Sequence, residues 1–182
     1  MKRIALCVLG VLAASTSGFA QGPADPIATP LLAAPANMRD GATVVKWNPD
    51  HSYVELRKGT NRLVCYDRSG FPLQQPFSIE CTSIANLDRV KQNMTAEALG
   101  DKMKSEAMLD GLEKAGTRAK PEFGSVWYHL MGPDRERART HMTIAVPGAT
   151  TQSLGLPDNP RQGGVWIMSA GTTTAHLMTP GE

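Results

Sequence analysis

Four short runs near the C-terminus, with apolar residues at every second position, constrain this chain more than anything else in its 182 residues. Residues 125–131, 140–146, 165–170 and 174–179 are rich in β-branched and aromatic side chains. Turn formers separate them: Gly132-Pro133-Asp134, Pro147-Gly148 and Pro157-Asp158-Asn159-Pro160. Side chains two apart on a strand share a face, so each run divides its residues between two surfaces. One surface collects Val126, Tyr128 and Leu130, then Met142, Ile144 and Val146, then Val165 and Ile167, then Ala175 and Leu177. That is the composition of an ordinary core. The other collects Trp127, His129 and Met131, then His141 and Thr143, then Trp166 and Met168, then Thr174, His176 and Met178. Three of the four histidines of the chain stand on this second face, beside two tryptophans.

Alternating strands pair antiparallel, since parallel strands buried on both sides read as continuous apolar runs. Upstream, 42–47, 52–57 and 62–66 have the same alternation and are separated by Asn48-Pro49-Asp50 and Lys58-Gly59-Thr60-Asn61, which predicts a three-strand meander. Between the two strand groups, Ile84, Leu87, Val90 and Met94 form a stripe at helical spacing, with Thr82 or Ser83 placed to cap it. Leu99 and Met103 fall on one side of a continued helix and Met108, Leu112 and Ala115 on nearly the other. A break near residues 93–95, or a helix buried on two sides, accounts for this. The expected fold is α+β: an antiparallel sheet of about six or seven strands, with a helical segment inserted between its N-terminal and C-terminal parts.

The N-terminus has the order of a secretory signal. Lys2 and Arg3 precede a short apolar run from Ile4 to Ala14, and the small residues of Ser15–Ala20 follow, so cleavage is expected after Ala20. The run falls short of the roughly 20 residues a membrane span requires. Residues 1–20 are therefore read as a signal peptide, 21–36 as a Pro/Ala-rich, extended and mobile leader, and 37–182 as a single globular domain. Without Lys2 and Arg3 the basic residues number 17 against 17 acidic ones. A neutral chain without a basic patch argues against nucleic acid as a partner. The expected location is periplasmic or secreted.

Cys65 and Cys81 are the cysteines that remain after such cleavage, and an even pair in an exported chain reads as a disulfide. Nucleophile elbows, zinc-protease helices, phosphate-binding glycine loops and C-x-x-C pairs are all missing from the sequence. An enzyme is accordingly the poorer reading. The better one is a non-catalytic binding or interaction module of the cell envelope, with Trp127 and Trp166 as binding residues and an unidentified protein or small molecule as partner. The alternative is a copper-binding protein with His129, His141 and His176 as ligands and Met131 and Met178 nearby, because imidazole and thioether donors select copper.

Four stretches taken in order carry a resemblance. They are Gly41-Ala-Thr-Val-Val45; Leu56-Arg-Lys-Gly-Thr-Asn61 leading to Val64-Cys65; Gly163-Gly-Val-Trp-Ile-Met168; and Ala170-Gly-Thr172 leading to Ala175-His-Leu-Met178. On these the chain resembles a group of small exported bacterial proteins of unassigned function. The resemblance implies export and a single domain, and it brings no activity, cofactor or site residue with it.

Overall fold

The computed structural model of the protein describes residues 25–179, so the expected signal peptide lies outside the described residues. Eight strands form one sheet: β1 (Thr43–Trp47), β2 (Tyr53–Arg57), β3 (Leu63–Asp67), β4 (Phe77–Ser83), β5 (Val126–Gly132), β6 (Arg139–Ala145), β7 (Trp166–Met168) and β8 (His176–Met178). Their order across the sheet is β2-β1-β3-β4-β5-β6-β8-β7. Helices α1 (Leu87–Glu97) and α2 (Lys102–Lys114) lie between β4 and β5 in the chain, and a single helical turn, α3 (Thr151–Leu154), follows β6. The fold is α+β with a mostly antiparallel sheet, as expected, and one or two strands longer in count.

The additional strand is β4. Phe77-Ser-Ile-Glu-Cys-Thr-Ser83 alternates, with Ile79 and Cys81 on one side and Ser78, Glu80 and Thr82 on the other. It sits mid-sheet between β3 and β5, antiparallel to both. Cys65 and Cys81 are directly opposite each other in the β3–β4 ladder, with Cα atoms 4.1 Å apart, and they form the expected disulfide.

The expected meander is not formed. β2 pairs with one edge of β1, but β3 pairs with the other edge and runs parallel to it. The connection therefore crosses over the start of β1. Gly59 makes this crossing possible, since a Cβ there would stand 2.4 Å from both the Gly41 carbonyl oxygen and the Thr43 nitrogen. The crossing is fastened by the amides of Thr60 and Asn61, which donate to the Gly41 carbonyl at 2.8 and 2.9 Å.

Each face of the sheet has its own cover. On one face α1 lays Leu87, Val90 and Met94 onto Val45, Val64 and Tyr66. α2 lies against α1 and buries only Ser105 of its own residues. The break between the helices falls at Gly100, with φ 66°, and Asp101, whose carboxylate accepts from the Lys104 amide at 3.0 Å; it does not fall near residues 93–95. Asp101 caps the second helix, and that capping fixes the boundary.

The other face corrects the leader. Residues 25–34 are not extended: Pro30–Ala33 is a 3-10 turn, and Leu31, Ala33 and Ala34 are buried against Val44, Leu63, Ile79 and the disulfide. Asp25 accepts from the amides of Ile27 and Ala28 at 2.8 and 2.9 Å and starts the turn. A proline-rich composition hides this because proline at the first position of a helical turn is itself favourable. The small, apolar residues around it then fit closely onto the flat disulfide face.

Candidate functional site

The register of the C-terminal strands places the aromatic and imidazole face where alternation puts it. Trp127 is opposite Thr143 and His129 opposite His141; Ala145 is opposite His176, Met168 opposite His176 on its far side, and Trp166 opposite Met178. Across β4 the same face continues, with His129 opposite Glu80 and Glu80 opposite Tyr66. All the expected site residues thus share the side of the sheet that carries α1.

They are not gathered into one metal site. His129 and His141 face each other, with ring centroids 5.9 Å apart. His176 pairs with Ala145, four residues further along β6, which at about 3.4 Å per residue puts the backbone positions roughly 14 Å apart. Among the described residues no group of three or more His, Cys, Asp or Glu side chains is placed to hold a metal ion. The copper reading of His129, His141 and His176, with Met131 and Met178, is corrected on this ground. Shared parity put the donors on one face, but strand order spread them along it. Met178 lies beside Trp166 at the outer strands, away from Met131 on β5.

What the face does build is a polar cluster at its centre. Glu80 accepts from the Tyr66 hydroxyl at 3.0 Å, stands 3.6 Å from the Arg68 guanidinium, and lies 3.5 Å from Nδ1 of His129. Arg68 also pairs with Glu97 of α1, to which Gln74 donates at 2.8 Å. Burial alone would raise the Glu80 carboxyl; His129, Arg68 and the Tyr66 hydroxyl overturn that and hold it below the usual carboxylate range. Burial, and then the Glu80 charge, push the Tyr66 phenol well up. The His141 imidazole is held below its ordinary value by burial first, then by His129 opposite it and, from further off, by His176. This cluster ties strands β3, β4 and β5 to α1.

A second pair of cations lies where the chain returns from α2 to β5. Arg89 of α1 donates to the Ala119 carbonyl at 2.6 Å and to the hydroxyls of Thr173 and Thr174 at 3.2 and 2.7 Å. Arg118 donates to Gln92 at 2.9 Å and to Asn93. Both are buried, at 5% and 6% exposure. Every partner in these bonds is a neutral oxygen.

Between the two groups a cavity of about 460 Å³ opens over the sheet. Trp127, His129, Met131 and His176 form part of its floor, and Arg68, Glu80, Glu97, Arg89 and Arg118 also line it. His141, Trp166 and Met178 do not. Of the two tryptophans expected to bind, Trp127 therefore belongs to this site, while Trp166 lies half-buried at the edge of the sheet on β7. The cavity wall contains no serine, cysteine or lysine nucleophile. Its carboxylates are engaged with Arg68, Tyr66 and Gln74.

Sequence reasoning missed the charged half of the site. Glu80 is legible in principle from the alternation of 77–82. Arg89 and Arg118 carried no local pattern, because they meet only after residues 117–121 fold back over α1. Compared with known proteins, the chain matches no family model, no curated protein and no solved structure.

Proposed function

We propose that this chain is a non-catalytic binding module of the cell envelope, periplasmic or secreted, that takes a small molecule into the cavity between its sheet and α1. The observation that carries the reading is the cavity itself. Its volume falls in the range of small-molecule sites, and it combines an aromatic and thioether floor with a few convergent polar groups. The Cys65–Cys81 disulfide supports an oxidising compartment. The N-terminal Lys2-Arg3 and the apolar run after it support export, and the resemblance to small exported bacterial proteins points the same way. Among the described residues no helix is long and apolar enough to cross a membrane.

The test is retention of a ligand. The protein is incubated with the small-molecule fraction of an envelope extract, repurified and weighed by native mass spectrometry. The expected result is a discrete added mass that a Thr143→Trp variant, whose indole would fill the cavity, does not retain. No added mass, or the same mass on both proteins, overturns the reading.

A further inference from the structure

Arg89 and Arg118 are placed in a way that their structural bonds do not account for. Two guanidinium groups carry ten N–H bonds between them. Three of these from Arg89 and two from Arg118 are taken up by protein oxygens. Among the described residues neither Nε has a partner, and neither is among the polar atoms sealed from solvent without one. The two Nε–H groups therefore face accessible space, and both residues line the cavity.

Their charge is compensated only at a distance, by Glu113 for both and by Glu97 for Arg118. Among the described residues neither arginine forms an ion pair. Glu113 is the acidic group that acts on both from a distance, and its oxygens accept from the amide and hydroxyl of Thr173. Glu97 is committed to Arg68 and Gln74. Burying a charge without a partner is unfavourable, and two like charges near each other add to that. The Arg89 guanidinium is pushed down to about 10, by burial first and then by Arg118. A fold that keeps two such groups at the wall of a cavity is organised for an anion, whose oxygens match the fork of a guanidinium.

We propose that Arg89 and Arg118 are the anion-holding end of this cavity, and that its ligand is a small organic oxyanion, a carboxylate or a phosphate monoester, whose aromatic or apolar body lies against Trp127 and Met131. The assignment rests on the cavity being the binding site. Asn93 and Thr174, which line the same space, supply neutral donors around the head group.

The experiment is calorimetric titration of the protein with benzoate, phenyl phosphate and the neutral isostere benzamide. Saturable binding is expected for at least one of the two anions, at least tenfold tighter than for benzamide, and the tighter anion names the head group. Arg118→Met should weaken that anion at least tenfold and leave benzamide unchanged, while Arg118→Lys should restore part of the difference. If Arg118→Met does not fold, raised salt on the native protein replaces it: anion affinity should fall and benzamide affinity should not. Benzamide binding as tightly as both anions overturns the oxyanion assignment and leaves the cavity reading standing. Anion binding that persists in the Thr143→Trp variant overturns both. No binding of any probe by a protein that does retain a mass from the extract overturns the assignment alone.

Discussion

Glu80 is ionised in a place where burial by itself would favour the protonated acid, and that ties the stability of the fold to pH. Its folded value lies below the ordinary carboxylate value of 4.5. A depressed folded value contributes stability above the unfolded value, and that stability is lost as pH falls through the folded one. Stability should therefore decline below about pH 4.5. Glu80→Gln at neutral pH removes one of the two carboxylates facing Arg68, which keeps Glu97, and weakens the acceptor of the Tyr66 hydroxyl. The loss should be about 1–3 kcal/mol. Urea unfolding at pH 7 and pH 3.5 tests this. The variant should be less stable than the native protein at pH 7, and the gap should narrow at pH 3.5. An unchanged gap would mean that Glu80 is not the group titrating. Residue-scale detail was legible only where a period of two applied, as it did for Trp127, His129, Met131 and His176. Arg89 and Arg118 belong to a helix and a coil, and nothing in either segment announces that they meet.

At the scale of elements, the stretch 25–34 separates composition from structure most sharply. Prolines and alanines suggested a segment with too little to bury, yet Leu31 is 7% exposed and packs on the disulfide face. Leu31→Ala should destabilise the protein by about 2–5 kcal/mol, as removal of a buried leucine side chain generally does. Denaturant unfolding measures it, and a loss under about 0.5 kcal/mol, typical of an exposed position, would restore the mobile leader. The strands and the first helix were readable because each carries its own period. The helix break was not, because Thr95 and Asp101 both look like caps and only the φ of 66° at Gly100 decides between them.

For the whole molecule, the number and type of strands followed from the sequence more readily than their order. Hairpin turns predict neighbours, but the 58–62 turn throws β3 across β1 instead, and that depends on a contact between backbones rather than on a pattern of side chains. Gly59→Ala puts a carbon 2.4 Å from two backbone atoms that cannot move aside. Overpacking of this kind costs typically 1–3 kcal/mol and occasionally more. Gly111 is the control: it lies within α2, and a Cβ there meets nothing within 4 Å. Gly111→Ala should raise stability by about 0.5–1 kcal/mol through helix propensity. Thermal melts of the two variants should move in opposite directions, and equal shifts would contradict the crossing.

The N-terminal turn that covers the disulfide face also sets a schedule. A chain is made from its N-terminus, and Leu31 emerges among the first residues of the described fold. The surfaces it packs against come from β3 and β4, and Leu130 of β5 completes them. At about 5–20 residues per second the ribosome needs roughly 5–20 s to make the stretch from 31 to 130. Throughout that interval the segment made first has nothing complete to settle on.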